Sequence, residues 1–319
     1  MPNPVVQVSK SGRLRTGVRV PLVLVGDDAY AMPLATALRS IVEADRSGES
    51  VVVYVLCHDL KDSSRERIER SVPPGSVVFN WIPVGLAQFA NFATSPHISK
   101  TTYARLLMPT VLPETVSRAL YLDADILVIG ELWPLQEANI EGFVIGAVLD
   151  GLDARIKAGE SGYEALPRVR DYFNAGVLLI DLERWRQERI SETAFEYLTE
   201  HPESPLADQD ALNFACDGVW KQLDSRWNFQ DHYETRISKM VGEQQPRIVH
   251  FIMRFKPWKA SVLNPNAKLY DSVRSRTRFA RTNTDKIADM LQAFWWRTKR
   301  FLKHYPLIRG AWDFTCRVR

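Results

Sequence analysis

The chain has 319 residues, 45% hydrophobic and 25% charged, which is enough to bury the core of a globular protein with one elaborate domain or two small ones. No uninterrupted apolar run approaches the roughly 20 residues that span a bilayer, and three widely separated cysteines indicate neither a disulfide framework nor a cysteine zinc site. The net charge of +3 hides an asymmetry: residues 271–319 hold 12 Lys and Arg against 4 Asp and Glu, a net of +8, which leaves −5 for residues 1–270.

A polar leader of 19 residues comes first. It lacks the apolar stretch of about 7–15 residues that a secretory signal peptide needs. The sequence therefore predicts a chain without a signal peptide, and the scarcity of cysteine favours the reducing cytoplasm as its location.

Strand and helix signals alternate after the leader. Strands are predicted at 20–25, 51–57 and 77–82, with an apolar-faced helix at 34–42 and a capped polar helix at 62–71. This βαβαβ order is typical of a parallel sheet with right-handed crossovers. Further strands are predicted at 119–122, 143–149, 176–180 and 248–251, and helices near 97–109, 183–199 and 208–216. The chain is thus predicted to be an α/β protein, and its sequence contains no internal repeat.

Acidic residues and one histidine stand at the ends of predicted strands. They are Asp27, Asp28, Asp123, Asp125 and His250. Open sheets bind ligands outside the carboxyl ends of their strands, so these side chains are candidates for one shared crevice. For the first two the alternative is a plain turn, because aspartate is common after a strand. The first turn, GDDAYA, lacks the G-x-G-x-x-G pattern, which argues against a dinucleotide-dependent dehydrogenase.

The stretch YLDADILVIG, residues 121–130, places two carboxylates at one strand end. Like charges this close repel each other unless a cation lies between them or one carboxyl group stays protonated. A divalent metal removes the conflict. Oxygen ligands favour Mg²⁺ or Mn²⁺ over Zn²⁺, and an added imidazole favours Mn²⁺. Because Asp-x-Asp is common by chance, a solvated turn is the alternative for this motif alone.

Six blocks of the sequence, taken together, resemble glycosyltransferase family 8. This family of retaining transferases includes bacterial lipopolysaccharide galactosyl- and glucosyltransferases and the self-glucosylating glycogenins. The blocks occur in the family's order between residues 22 and 260 and leave the tail outside the resemblance. They read VLVGDDAYA, HISKTTYARLLMP, ALYLDADILVIGEL, YFNAGVLLIDLERWR, DQDALN and HFIMRFKPW.

The resemblance implies a GT-A fold, in which a Rossmann-like open mixed sheet carries helices on both faces. It also implies a nucleotide-sugar donor, usually a UDP-hexose, and Mn²⁺ or Mg²⁺ bound by Asp123, Asp125 and His250. Lys256, in the last block, would help to stabilise the charge of the departing diphosphate. Outside the family context, Lys256 is simply a surface lysine in a turn.

The same resemblance gives donor-binding or catalytic roles to other positions. Arg105 would bridge the donor and an aspartate, since a guanidinium can bond two anions, and its alternative is a charge on a helix surface. Asp208, Gln209 and Asp210 would bind sugar hydroxyls, with Gln209 near the anomeric carbon, unless the acids merely begin a helix. The resemblance also implies that further residues contact the nucleotide-sugar donor: Asp27, Asp28, Asp123, Ala124, Asn174, Ala175, Met253 and Lys256.

Retention of configuration usually involves a carboxylate nucleophile. The amide of Gln209 is a poor nucleophile, so we favour a front-face reaction in which the leaving phosphate helps to deprotonate the acceptor. Two positions depart from the family pattern: Met253 replaces a glycine that lets a backbone amide approach the phosphate, and Ala29 replaces a frequent uracil-binding asparagine. A nucleotide-sugar-binding protein with little turnover is therefore one alternative. A glycogenin-like self-glucosylating protein, using Tyr163 or Tyr172, is another.

The basic tail contains a predicted amphipathic helix at 285–303. Its apolar face consists of Ile287, Met290, Leu291, Phe294, Trp295 and Phe301, with Lys286, Arg297, Arg300 and Lys303 mainly away from that face. Aromatic residues flanked by cations are typical of a helix that lies in anionic headgroups. A helix packed on the main domain fits the same pattern, whereas no motif indicates nucleic acid.

These expectations divide the chain into a polar leader (1–19), a GT-A catalytic domain (20–270) and a basic tail (271–319). The predicted activity is metal-dependent, retaining transfer of galactose or glucose from a UDP-sugar to a glycan or glycolipid acceptor such as lipopolysaccharide. The predicted location is the cytoplasm, with peripheral contact to the inner membrane face through the tail and no nucleic-acid partner.

Overall fold

A computed structural model describes residues 7–8, 14–15, 19–92, 100–231, 236–252, 256–259 and 264–303. The strands are β1 (Gln7–Val8), β2 (Leu14–Arg15), β3 (Leu22–Gly26), β4 (Val51–Cys57), β5 (Val77–Pro83), β6 (Arg118–Leu122), β7 (Ile126–Val128), β8 (Ile145–Leu149), β9 (Phe173–Asp181), β10 (Trp220–Gln222), β11 (Phe229–Gln230) and β12 (Ile248–His250). The helices are α1 (Ala31–Ala44), α2 (Asp62–Glu69), α3 (Met108–Val111), α4 (Trp133–Gln136), α5 (Asp153–Lys157), α6 (Leu182–Gln187), α7 (Ile190–Glu200), α8 (Asp208–Ala215), α9 (Ala267–Arg274) and α10 (Asn283–Lys303).

A seven-stranded mixed sheet forms the centre of the fold, in the order β10-β8-β9-β6-β3-β4-β5. Strands β3, β4 and β5 are parallel neighbours, which confirms the predicted βαβαβ start. Strand β6 runs parallel to β3 on its other side, and β9 is the antiparallel strand between β6 and β8. The carboxyl ends of β3, β4, β6 and β8 therefore lie at one edge of the sheet, where open α/β sheets bind ligands.

Helices cover both faces of the sheet, so a central strand such as β3 is apolar and buried on both faces. In β3, Leu22 and Leu24 belong to the core shared with α1, whereas Val23 belongs to the core on the other face. That second core includes Trp185 of α6 and Leu198 of α7. This arrangement confirms the predicted α/β fold with helices on both faces.

A smaller sheet, β11-β12-β7, begins after the acidic turn, which consists of residues 123–125 and contains Asp123 and Asp125. Strand β7 follows that turn directly, and β12 pairs with it in antiparallel register so that His250 is opposite Ile126. The backbone N–H of Phe251 then donates to the carbonyl of Asp125 at 3.0 Å. Strand pairing thus brings the end of β12 to the turn that contains the two aspartates.

Three details differ from the predicted elements. The helix predicted at 183–199 is two helices, α6 and α7, because Arg189 between them has a left-handed backbone with a φ of 53°. The helix predicted near 97–109 is, in its described part, a 3-10 helix over Lys100–Leu107 that continues into α3. Strands β7, β10 and β11 are two or three residues long, too short to give a pattern in the sequence.

The helix predicted at 285–303 is confirmed as α10. Its apolar positions Ile287, Met290, Leu291 and Phe294 are 59%, 72%, 65% and 70% exposed, so they are not packed on the described part of residues 20–270. The segment before the helix does pack there, because Arg276 pairs with Glu43 of α1 and Phe279 is buried. The domain boundary at 270 stays a prediction. In the described ranges of the chain, no helix combines the length and apolarity needed to span a membrane.

Candidate active site

Asp123 and Asp125 lie in the turn between β6 and β7. The backbone N–H of Asp123 donates to the carbonyl of Gly176 in the neighbouring β9 at 2.8 Å, which fixes the start of the turn. One oxygen of each carboxylate has its own cation. Arg105 Nη2 lies 2.9 Å from Asp123 Oδ1, and Lys256 Nζ lies 2.5 Å from Asp125 Oδ2. These two ion pairs offset the repulsion between the aspartates.

The second oxygen of each carboxylate faces His250. The imidazole Nε2 lies 3.5 Å from Asp123 Oδ2 and 3.2 Å from Asp125 Oδ1. The ring lies against Gly176, where a Cβ atom would be 2.1 Å from His250 Cε1 and 2.9 Å from Asp123 Oδ2. Only a residue without a side chain leaves room for this approach.

Together, Asp123, Asp125 and His250 form a donor set suited to a divalent cation. One ligand atom from each lies within 4.8 Å of the others. Asp125 Oδ1 is buried, and when His250 Nε2 carries no proton this oxygen has no hydrogen-bond partner in the part of the chain that the structure describes, which is costly unless a cation takes that place. The residues therefore fit the ion expected from the sequence, although the identity of the ion stays a prediction.

Burial and ion pairing act in opposite directions on Asp125. Burial disfavours its charged form, but the adjacent Lys256 and His250 outweigh that effect and hold the pKa of Asp125 well below its usual range. The carboxylate is therefore ionised at neutral pH and available as a metal ligand.

Arg105 is a buried bridge, and the alternative of a charge on a helix surface is wrong, because this residue is only 6% exposed. Its Nε lies 2.7 Å from Asp208 Oδ2, while Nη2 binds Asp123 and Nη1 donates to the carbonyl of Ala175 at 2.7 Å. Burial opposes its charge, but Asp123 and Asp208 raise the pKa of Arg105 above its usual value. Burial also raises the pKa of Asp208, against the effect of Arg105. The guanidinium of Arg105 thus links Asp208, at the start of α8, to Asp123 in the acidic turn.

The side chain of Gln209 is held between β9 and Asp150. Its Oε1 accepts the backbone N–H of Ala175 at 3.0 Å, and its Nε2 donates to Asp150 Oδ2 at 3.2 Å. Asp150 also accepts a hydrogen bond from Asn174 Nδ2 at 2.9 Å. The structure therefore brings Asn174, Ala175 and Gln209 together with Asp150, and the contacts of these residues with the sugar stay predictions.

Asp210, also in the DQD block, makes structural contacts. It is fully buried, and its carboxylate accepts hydrogen bonds from the Tyr172 hydroxyl, from the Ser204 hydroxyl at 2.5 Å and from the Leu206 N–H at 2.9 Å. Burial raises the pKa of Asp210. These contacts tie α8 to the preceding loop, and a sugar-binding role for Asp210 stays a prediction.

The end of β3 supplies Asp27 and Asp28. Asp27 Oδ2 accepts from the Thr101 hydroxyl at 2.8 Å. Asp28 turns to the start of α2, where it accepts from the Ser64 hydroxyl at 2.6 Å and pairs with Lys61 at 3.0 Å. The hydrogen bond from Ser64 is the main cause of its lowered pKa. Contacts of Asp27 and Asp28 with the nucleotide-sugar donor stay predictions. A contact from Asp28 to the nucleotide sugar would compete with its bonds to Ser64 and Lys61.

Three further positions complete the predicted set. Ala124 is buried between the two aspartates of the turn, and Ala29 is exposed after β3. Met253 lies outside the described residues. The contributions expected of these three to donor binding stay predictions.

Three residues of the site were not predicted from the sequence: Asp150, Gly176 and Asn228. Asp150 directly follows β8 at the same sheet edge, so the strand-end rule that selected Asp123 also applies to it. Gly176 stands inside a strand, where glycine can mark the close approach of another group. Asn228 ends a 3-10 turn before β11 and carries no comparable signal.

The mixed sheet and its acidic edge define a GT-A glycosyltransferase. Two crystal structures of the galactosyltransferase LgtC match this chain with TM-scores of 0.70 and 0.69, at 26% identity, over 81% of this chain and 96% of LgtC. One is an active-site variant with a glutamine replaced by glutamate, and the other is a complex with donor and acceptor sugar analogues. The model of glycosyl transferase family 8 matches residues 21–261. The chain therefore belongs to glycosyltransferase family 8.

Relatives in bacteria are similar over most of the chain. General stress protein A of Bacillus subtilis is 29% identical over 273 residues, which cover 81% of this chain and 94% of that protein. The lipopolysaccharide 1,2-glucosyltransferase of Escherichia coli is 26% identical over 227 residues, which cover 68% of this chain and 66% of that protein.

Proposed function

We propose that the protein is a metal-dependent, retaining hexosyltransferase that moves galactose or glucose from a UDP-sugar to a glycan or glycolipid acceptor. The observation that carries this proposal is the convergence of Asp123, Asp125 and His250, with Arg105 and Lys256 paired to the two aspartates. The complex of the related LgtC with donor and acceptor sugar analogues supports a donor and an acceptor of this class.

Asp123, Asp125 and His250 would hold Mn²⁺ or Mg²⁺, which when bound neutralises charge on the donor diphosphate and so assists its departure. The charge balance of the site supports this assignment. Asp123, Asp125 and Asp208 outnumber the paired cations Arg105 and Lys256 by one. An anionic donor therefore needs an additional cation to bind favourably there.

Lys256 would stabilise the leaving group. Its Nζ is held between Asp125 Oδ2 and the carbonyl of Phe251, each at 2.5 Å, so the ammonium is fixed beside the acidic turn. The diphosphate gains negative charge as the glycosidic bond breaks. A cation that is already in position stabilises this charge without reorganising the site.

For the sugar we propose a front-face reaction, in which the leaving phosphate accepts the proton of the acceptor hydroxyl. Gln209 carries an amide, which is a poor nucleophile. Asp208 is buried, and its two oxygens are bound by Arg105 at 2.7 Å and by the Thr102 hydroxyl at 3.0 Å. A glycosyl adduct on Asp208, trapped with donor and found by mass spectrometry, would contradict this route.

A donor-binding assay followed by a turnover assay tests the proposed function. Each UDP-hexose is added with and without Mn²⁺, and the melting temperature is measured, because a ligand that binds the folded state raises it. We expect one donor to stabilise the protein only when Mn²⁺ is present, and UDP to be released when an acceptor is added. Asp125→Asn should lose both responses. Absence of stabilisation by every UDP-hexose with Mn²⁺ would refute the proposal.

The same assays distinguish the two alternatives. A self-glucosylating protein would gain mass in UDP-glucose without an acceptor. Of its candidate acceptors, Tyr172 is 1% exposed and its hydroxyl donates to Asp210, which leaves the half-buried Tyr163. A protein that only binds the nucleotide sugar would be stabilised but would release no UDP.

We also propose that α10 holds the enzyme at the inner, anionic face of a membrane, where a glycolipid acceptor would lie. The exposed apolar positions of the helix and the net charge of +8 in residues 271–319 support this contact. The test is sedimentation with phosphatidylglycerol vesicles, which should fall when residues 285–319 are deleted. Unchanged sedimentation would contradict membrane contact and leave the transferase proposal intact.

A further inference from the structure

We propose that Asn228 is a positioning residue of the metal centre: it fixes the ring proton of His250 on Nδ1 and thereby presents the lone pair of Nε2 to the cation. The role of the cation rests on the proposed function above, whereas the assignment of the ring proton does not. His250 and Asn228 are 5% and 1% exposed, so bulk water does not compete for the bond between them.

The direction of the hydrogen bonds is set by a group that can only donate, the backbone N–H of Gly176. This N–H lies 3.0 Å from one side-chain atom of Asn174, which must therefore be the carbonyl oxygen Oδ1. The other end of the amide, Nδ2, then lies 2.9 Å from Asp150 Oδ2, which accepts its hydrogen. Both neighbours thus require the same orientation of Asn174.

The orientation of Asn174 determines that of Asn228. Asn174 Oδ1 also accepts a hydrogen bond from Asn228 Nδ2 at 2.8 Å. With its NH₂ group toward Asn174, Asn228 turns its carbonyl oxygen to His250, where Oδ1 and Nδ1 are 3.0 Å apart. Because a carbonyl oxygen only accepts, the proton must be on Nδ1.

This arrangement matters because neutral imidazole exists as two tautomers, and only one has an unprotonated Nε2. Nε2 is the nitrogen that faces Asp123 and Asp125. Without the acceptor of Asn228, the proton of the neutral ring would move to Nε2, where the carboxylates of Asp123 and Asp125 accept it, and Nε2 would have no lone pair for the cation. Loss of a hydrogen-bond partner behind a metal-binding histidine typically weakens metal affinity about 10–100-fold.

The ring proton is tested by nitrogen NMR on the full, metal-free protein labelled with ¹⁵N-histidine. The His250 signal is assigned by its loss in His250→Gln. At a pH where the ring is neutral, we expect its proton on Nδ1 in the wild type and in Asn228→Asp, which keeps an acceptor. In Asn228→Leu we expect the proton on Nε2, beside the carboxylates of Asp123 and Asp125. An unprotonated Nδ1 in the wild type, or a wild-type spectrum in Asn228→Leu, would overturn the proposal.

The consequence for the metal is tested by a double-mutant cycle in which Mn²⁺ affinity is measured by calorimetry. Asn228→Leu should weaken affinity about 10–100-fold in the wild type but cause no further loss in His250→Ala, because its effect passes through that ring. Equal weakening in both backgrounds would assign Asn228 a purely structural role and overturn the proposal. A wild type that binds no Mn²⁺ either alone or with UDP would instead refute the proposed function, and the NMR result would still decide the role of Asn228.

Discussion

The acidic edge of the sheet and the helix α10 differ in how far their side chains are buried. Asp123, Asp125 and Asp208 are largely buried, and each lies within 2.9 Å of an Arg or Lys nitrogen. In α10, apolar side chains such as Met290 and Phe294 are 72% and 70% exposed. The charges of the first region are paired within the described part of the chain. The second region presents apolar side chains that the described residues leave largely exposed. Substitutions should therefore affect stability strongly in the first region and weakly in the second.

The largest loss of stability is expected for Arg105→Met. This change removes the guanidinium that binds Asp123 and Asp208, and leaves two largely buried carboxylates without it. Breaking a buried ion pair from one side costs about 3–5 kcal/mol. The free energy of unfolding, measured in urea, should fall by about that amount.

Lys286→Met in α10 is the matched control, because Lys286 is exposed. Its effect should stay within about 0.5 kcal/mol. Similar losses in the two variants would show that burial of the charges does not distinguish the two regions.

Gly176→Ala should have the next largest effect. The added methyl group would lie 2.1 Å from His250 Cε1, so the ring must move away from Asp123 and Asp125. We expect a stability loss of about 1–3 kcal/mol from overpacking, together with loss of Mn²⁺ binding measured by calorimetry. Gly85→Ala is the control, since a Cβ at Gly85 meets nothing within 4 Å. Wild-type Mn²⁺ affinity in Gly176→Ala would contradict the described position of His250.

Asp125→Asn should have a smaller effect that depends on pH. Burial opposes ionisation, but Lys256 and His250 hold the pKa of Asp125 below its unfolded value of about 3.9. The ionised form is thus favoured by folding, and its contribution is present above about pH 4 and lost as pH falls through the lower, folded pKa. In metal-free protein, the stability difference between wild type and Asp125→Asn should be about 1.5 kcal/mol at neutral pH and shrink below about pH 4. A difference that grows on acidification would contradict this account.

The sequence predicts the fold better than it predicts the site. Strands such as β3 and β4 are apolar and β-branched, so the sheet core follows from local pattern. Asp123 and His250 can be selected because each stands at a strand end. Asn228 cannot be selected this way, because its role depends on the pairing of β11 with β12 and on the packing of β9 beside them. Side-chain contacts between strands distant in sequence carry no local signal.

Phe294→Ser should cause the smallest change in the free energy of unfolding. Among changes outside the active site, it should have the clearest effect on membrane binding. Because Phe294 is 70% exposed, the free energy of unfolding should change by less than about 0.5 kcal/mol. In a membrane surface the same ring would be buried, which is worth about 1.5–3 kcal/mol, so binding to phosphatidylglycerol vesicles should weaken at least about tenfold. Val241→Ser is the matched control, since Val241 is 76% exposed on the main domain and should change neither quantity. Equal vesicle binding by the two variants would mean that α10 is exposed for a reason other than membrane contact, whereas a selective loss in Phe294→Ser would locate the contact on this helix.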